Sequence, residues 1–410
     1  MALTFDYKVR DRTGKLVEGQ LEGDSMALVV SKLREMGYLP ISVTPKSRVN
    51  VHREIAIPGI SGRVKLTEIA VATRQLATMI DSGLSVVRGL GILANQVENK
   101  ELARVLNEVR LDVERGSSLS AACAKHPKVF NTLFITMVQA GEAGGHLDSV
   151  LLDLAETMEK QAVLRRTVRS AMTYPAVVLS VMCIIFLALL IFIVPVFQKL
   201  FSSLGAKLPT PTLIVIDISK IILSPWSVVV VAVIVASVVA IRRWIKTDTG
   251  RLKWDGWKLK PPIFGPLMHK VALARFSHTF GSLIQAGVPI LESLDIVSDT
   301  AGNRVMGDAL LAAKAGVREG RALADTLREY ENVMPAILTQ MVEVGEQTGA
   351  LDAMLHKVGQ FYDGEVETTV NNLTSMLEPI LTVVMGAGVG VMVVSMYLPM
   401  FTYITHIPQS

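Results

Sequence analysis

Two acidic residues stand at matched places in this chain. Glu142 lies in Gly141-Glu142-Ala143-Gly144-Gly145-His146-Leu147-Asp148, and Glu346 in Gly345-Glu346-Gln347-Thr348-Gly349-Ala350-Leu351-Asp352. Carboxylates repeated at turns could meet a basic partner surface or a divalent cation. A calcium-type site takes roughly six to eight oxygen ligands, more than one such motif carries, so no metal is expected. The same residues also read as a corner between helices. Gly144-Gly145 can end one helix in the left-handed conformation, and Asp148 can cap the next or sit in its first turn. The two readings are compatible, because a corner is a good place to display a charge.

Other chemistry is thin. No Gly-x4-Gly-Lys-Ser/Thr run occurs, so the chain has no P-loop, and Thr13-Gly14-Lys15 reads as a hairpin turn. The seven histidines are scattered, with no His-x3-His pair, and the two cysteines, Cys123 and Cys183, make neither a Cys-x2-Cys motif nor a disulfide framework. A membrane peptidase would need paired acids or a Ser/His constellation in an apolar segment. Glu378 is the one charged residue near the core of such a segment, and Gly386, Gly388 and Gly390 have no Asp beside them. The expectation is a protein that is not an enzyme and carries no cofactor.

The elements that position these residues are read from hydropathy. Half of the 410 residues are apolar and 19% are charged, against roughly 25% charged in a typical soluble domain. Mean hydropathy is +0.43. Three stretches are free of charge: Ser170 to Gln198, Ile221 to Ile241, and Pro379 to Thr405. About 20 apolar residues cross a ~30 Å bilayer core as helix, so three spans are expected, at 170–197, 221–241 and 376–402. Arg165, Arg166 and Arg169 precede the first; Arg242, Arg243 and Lys246 follow the second. The positive-inside rule then puts the N-terminal portion and 242–375 in the cytoplasm, and the 198–220 loop and 403–410 tail outside. Residues Met1 to Thr44 show no long apolar core of a cleavable signal. Net charge is +4 and aromatics are 6%, a poor match to a nucleic-acid partner.

The soluble portions repeat. Residues 66–201 moved forward by 204 fall on 270–405 without a gap: Ile80-Asp81-Ser82-Gly83 meets Ile284-Gln285-Ala286-Gly287, Pro175 meets Pro379, Pro195 meets Pro399 and Phe197 meets Phe401. Apolar residues recur at three and four spacing, as in Val71 to Ile80, which predicts helices. The fold expected is therefore mainly α: tandem helical bundles at 65–169 and 242–375, each followed by a span. The 221–241 span returns the chain to the cytoplasm. Residues 1–46 differ. Leu3 to Val9, Leu16 to Leu21 and Leu39 to Thr44 read as strands, with a helix from a Ser25 cap to about Met36, a small ββαβ module. A linker at 47–64 follows.

On these residues the chain resembles the bacterial type II secretion F / type IV pilus assembly platform family (GspF/PilC), most closely the pilus members. The resemblance is carried by Gly141-Glu142 with Gly145, Leu147 and Asp148, by its echo in Gly345-Glu346 with Gly349, Leu351 and Asp352, by Tyr174-Pro175, by Leu377-Glu378-Pro379 and by Tyr397-Leu398-Pro399-Met400-Phe401. It implies a non-enzymatic platform in the bacterial inner membrane. The partners it implies are a cytoplasmic hexameric ATPase, pilin or pseudopilin subunits, other inner-membrane assembly proteins, the lipid bilayer and further copies in a homo-oligomer. An alternative reading is an oligomeric transporter or channel with duplicated cytoplasmic domains. The near absence of charged residues in the spans argues against a pore.

Candidates also lie in the spans. Glu378 stands at the start of span three, opposite Tyr174 of the first copy in the repeat alignment; it is either hydrated at the interface or held for a partner's charged end. Gly386 and Gly390 form a small-x3-small face, for packing against spans one and two or against a second copy or a pilin helix. Pro175 and Pro379 fit a first helical turn, and Pro195 and Pro399 sit near span ends, where a kink or stop is expected.

Overall fold

The computed structural model describes residues 3–10, 16–23, 26–45, 64–203, 209–262 and 264–405. They fall into two units, Met1–Arg63 and Val64–Ser410.

In the first unit, strands β1 (Leu3–Arg10), β2 (Leu16–Gly23) and β3 (Leu39–Pro45) form an antiparallel sheet in the order β2-β1-β3, with helix α1 (Met26–Glu35) between β2 and β3. Val29 and Leu33 of α1 close on Val9 and Val43 of the sheet. Gly19 faces Tyr7 across β1 and β2; a Cβ there would lie 2.6 Å from the Tyr7 hydroxyl. The Asp11-to-Lys15 turn, Ser25 and nearly all of the 47–64 linker lie outside the described residues.

The second unit is helical. In chain order it comprises α2 (Leu66–Asp81), α3 (Val86–Gln96), α4 (Lys100–Glu114), α5 (Leu119–Ala124), α6 (Thr132–Gly144) and α7 (Leu147–Ala188). A single π turn (Leu189–Ile193) joins α7 to α8 (Val194–Ser203). There follow α9 (Thr210–Leu223), α10 (Trp226–Trp244), α11 (Asp248–Lys258), α12 (Phe264–Gln285), α13 (Ile290–Thr300), α14 (Arg304–Arg318), α15 (Leu323–Arg328), α16 (Ala336–Thr348) and α17 (Leu351–Thr405). Helices α3 to α6 and α13 to α16 start and stop at positions 204 residues apart. Their local chemistry repeats too. Asn99 and Asn303 accept from the second and third amides after them at the starts of α4 and α14. Gly145 and Gly349 end α6 and α16 at φ of 71° and 69°, in the left-handed region where a side chain is strained.

The two bundles share a core. Buried residues of both copies, from Ile69 to Leu373, form one continuous apolar cluster. Helix α2 packs on α7 and α12 on α17, and α7 in turn packs on both α12 and α17. Helix α2 buries Ile69, Ala70, Thr73, Leu76 and Ala77 against α7 and α3 of its own copy, and α7 carries the contact with the second copy; sharing one core removes more apolar surface from water.

Among the described residues, three helical stretches are long and apolar enough to cross a membrane: Leu147–Phe201, Trp226–Trp244 and Leu351–Pro399. Their limits revise the sequence reading in three ways. The first and third are not separate from the bundles: α7 and α17 begin at the repeated corners and run on without a break for 42 and 55 residues, about 60 and 80 Å. Pro175 and Pro379 are therefore well inside helices and not in first turns. Second, the expected 221–241 span begins at Trp226, because Ser224-Pro225 ends α9 and starts α10. Third, the expected 198–220 loop is helical at both ends, in α8 and α9.

Candidate functional site

At the repeated corners the carboxylates point inward. Glu142 accepts hydrogen bonds from the Leu119 amide at 2.5 Å, the Ser120 amide at 3.1 Å and the Ser120 hydroxyl at 2.5 Å. Glu346 accepts from the Leu323 and Ala324 amides at 2.7 and 2.8 Å. Each caps the first turn of a six-residue helix, α5 or α15, whose first amides have no carbonyl partner within the helix. In the first copy the Ser118 hydroxyl also accepts from the Ala121 amide; in the second the capping position is Ala322, which has no side-chain acceptor, and Glu346 takes the two amides equivalent to those that Glu142 takes. Both half-buried carboxylates thus serve the corner between helices, each oxygen accepting from a backbone amide of its own copy. Gly141 and Gly345 are buried because the chain turns back against them; a Cβ would lie 3.2 Å from the Leu147 Cα and 2.8 Å from the Leu351 Cα. Leu147 and Leu351 open the next helices, and Asp148 and Asp352 sit in their first turns. Cys123 on α5 is an inert thiol, pushed up to about 12 by burial and by the nearby Glu142 charge.

A polar seam that the sequence reading did not single out runs between the long helices. Arg74 of α2 makes a forked ion pair with Glu159 of α7 at 2.6 and 2.7 Å. The 204-residue shift carries this pair onto His278 of α12 and Asp363 of α17, where Nε2 lies 2.7 Å from Oδ2. The first pair is solvent-facing, while the His278 side chain is only 1% exposed. Gly359 makes room for that ring: a Cβ would come within 2.6 Å of it. Among the described residues, His278 Nδ1, Asp363 Oδ1 and Ser277 Oγ are buried without a partner. Beside them, Thr157 and Ser282 hydroxyls bond at 2.6 Å, and Gln161 Nε2 donates to Thr279 Oγ1 at 3.2 Å, both across α7 and α12. His356 bonds Gln285 at 2.9 Å, and burial, with Lys160 and His278 nearby, holds its pKa below the usual histidine value. The signal in the sequence was a charged or polar pair recurring at the repeat distance inside apolar helices.

The spans are joined by a crossbar. Proline carries no N–H, so Pro195 gives no bond to the carbonyls before it. In the π turn the Val194 amide bonds the Leu189 carbonyl, and the fifth residue after Leu190 is Pro195. The Leu190 carbonyl instead accepts from the Ser219 hydroxyl of α9 at 2.5 Å. In α17 the residue four after Ser395 is Pro399, and the Ser395 carbonyl accepts from the Thr212 hydroxyl of the same helix α9. Thr212 and Ser219 are seven residues apart, on one face and about 10 Å along the axis. That matches the ~8–10 Å between packed helices. Leu190 falls on Val394 under the repeat shift, next to Ser395. Helix α9 therefore ties spans one and three at equivalent levels.

The other span candidates stay on the outside of the chain. Tyr174 is exposed, as is Glu378, which has no ion pair among the described residues. Gly386 and Gly390 have nothing within 4 Å of a built Cβ, so their face is not packed against spans one and two. The glycine that admits span one is Gly388, whose Cβ would lie 2.4 Å from the Phe186 ring.

Comparison with known proteins agrees with this repeat. The chain matches the family described as type II secretion system (T2SS), protein F, over residues 72–195 and again over 276–399. The N-terminal domain of type II secretion system protein F matches at 1–44. It is 40% identical over 398 residues to the type IV pilus assembly protein PilC of Myxococcus xanthus, covering 97% of this chain and 94% of that one. It is 39% identical to PilC of Thermus thermophilus, covering 98% of each. To type II secretion system protein F of Xanthomonas campestris it is 30% identical, covering 97% of this chain and 98% of that one. With two copies of the domain, the N-terminal module and near full-length relatives, the chain belongs to the type II secretion system protein F family.

Proposed function

We propose that this chain is the non-enzymatic inner-membrane platform of a type IV pilus assembly machine, coupling a cytoplasmic hexameric ATPase to the insertion of pilin subunits into the fibre. The observation that carries the reading is mechanical. Helices α7 and α17 run from the bundles into the spans without a break, share one core below and are tied by α9 above. A torque or tilt applied to the bundles then reaches both spans together, because close-packed helices move as bodies. The arginines before span one and after span two support cytoplasmic bundles and an external C-terminal tail. Glu378 and the uncovered Gly386–Gly390 face are the proposed contacts for a pilin helix or a second copy.

The test is to break the stalk. Four glycines inserted after Ser375, where α17 leaves the bundle, uncouple bundle from span while leaving both intact. Surface piliation is expected to be lost with the protein still present in the inner membrane at normal amount. Wild-type piliation from that variant would overturn the reading.

A further inference from the structure

The seam between α7 and α12 has a third rung that does not pair. Thr157 faces Ser282 and Gln161 faces Thr279. One turn further toward the membrane, the same antiparallel run brings Arg165 beside Arg275. Both line a cavity of about 190 Å³ with Leu66, Asn131, Gln161 and Thr300. Among the described residues no carboxylate lies within ion-pair distance of either guanidinium, whereas Arg74, Arg104, Arg110, Arg304, Arg321 and Arg328 each have one.

The surroundings hold Arg275 in place without neutralising it. Gly302, at φ 79°, lies against the guanidinium, and a Cβ there would come within 2.3 Å of Nη1. Burial, with Arg165 alongside, lowers the Arg275 pKa from its ordinary value. Asn131 spends its side-chain oxygen on the Phe134 amide, which leaves its NH2 group to donate. It also caps α6, so the positive end of that 13-residue helix opens at the cavity wall. Two like charges, one largely removed from water, are costly side by side without a counter-charge. An anion between them removes that cost.

Size and depth define the anion. The cavity holds about six waters' worth of volume, less than the ~300 Å³ at which pockets for drug-sized ligands begin. It suits a tetrahedral oxyanion, for which the guanidinium fork is matched. Arg165 precedes the charge-free stretch at Ser170 by five residues, about 7 Å of helix. The headgroup layer is about 5–8 Å thick on each side of the hydrocarbon. We propose that Arg165 and Arg275 form a phosphate-binding site between the two repeats, filled by a phospholipid headgroup or by free phosphate. Neither arginine recurs at the repeat distance: the shift places Val71 and Thr369 there. The site is a property of the joined copies and fastens them where they meet the bilayer.

The test uses the full chain in a maltoside detergent, stripped of lipid, with thermal unfolding followed at constant ionic strength. Inorganic phosphate is added in place of chloride, or phosphatidylglycerol is added in mixed micelles without phosphate buffer. Either addition is expected to raise the midpoint of the natural protein. A response to the lipid alone identifies the headgroup as occupant; a response to phosphate, with or without the lipid, identifies a site open to the free anion. Arg165→Gln and Arg275→Gln are expected to abolish the response, and Arg275→Lys to keep part of it. Without either addition, Arg165→Gln is expected to raise the midpoint, since it removes the repulsion, so the sign of its effect reverses with the ligand. A midpoint that ignores both additions, or that rises equally in both glutamine variants, would overturn the proposal.

Discussion

Replacing Ser219 by alanine removes one hydroxyl, and its effect depends on what residue 195 is. With proline at 195, the Leu190 carbonyl accepts from the Ser219 hydroxyl alone among the described residues, and Ser219 is 2% exposed, so water does not take its place. Leaving a buried acceptor unpaired costs about 1–3 kcal/mol. Measured side-chain hydrogen bonds between membrane helices average about 0.6 and reach about 1.7 kcal/mol. A cost of about 1 kcal/mol is therefore expected for Ser219→Ala. In a Pro195→Ala background an amide returns at the position that the π turn leaves for the Leu190 carbonyl. There Ser219→Ala is expected to cost close to nothing. The assay is a double-mutant cycle on unfolding free energies of the full chain in bicelles, measured by steric trapping. The coupling expected is about 1 kcal/mol, above the ~0.3–0.5 kcal/mol within which independent sites add. Additive effects would refute the argument that the hydroxyl serves a proline-orphaned carbonyl. The Thr212→Val and Pro399→Ala cycle is the second instance of the same reasoning.

Other expectations follow from the corners, the seam and the spans. Glu142→Ala leaves the first amides of α5 without an acceptor and is expected to destabilise by about 2 kcal/mol, the range for hydrogen bonds to a charged group; an unchanged unfolding midpoint would show that the cap is idle. Gly388→Ala meets the Phe186 ring and is expected to lower the midpoint, while Gly386→Ala and Gly390→Ala leave the purified protein unchanged; equal effects at all three would contradict the packing of the spans. Gly359→Ala is expected to displace the His278 ring, read out as a shift in that histidine's NMR signals; an unmoved ring would place it elsewhere. The folded state also holds His356 neutral more strongly than the unfolded chain does, with Lys160, His278, Glu156 and Asp352 facing it. The unfolded state then binds more protons, so stability from this group is present above about pH 6.5 and is lost as pH falls. His356→Gln is expected to flatten that slope in midpoint against pH; an unchanged slope would assign it to other groups.

The sequence by itself determined the helical class, the repeat and the apolar stretches, though not α9, which reads as loop. Helix limits depend on apolar spacing, capping residues and glycines within a few positions, and these recur at 204 residues, as with Asn99 and Asn303 or Gly145 and Gly349. Charge-free stretches likewise mark the spans, because the cost of a charge in hydrocarbon is set residue by residue. What only the tertiary structure decided is where polar groups find partners. Glu142 reads as a displayed carboxylate until α5 is seen to bring its amides against it, 22 and 23 positions earlier in the chain. Pro399 reads as a stop until Thr212, 183 residues before Ser395, is seen to serve the carbonyl that the proline leaves open. Gly388 and Gly386 are alike in sequence and differ only in that one meets Phe186. A buried donor or acceptor must be satisfied by whatever lies beside it in space, and neighbours in space are set by the packing of whole helices, which local sequence chemistry does not encode.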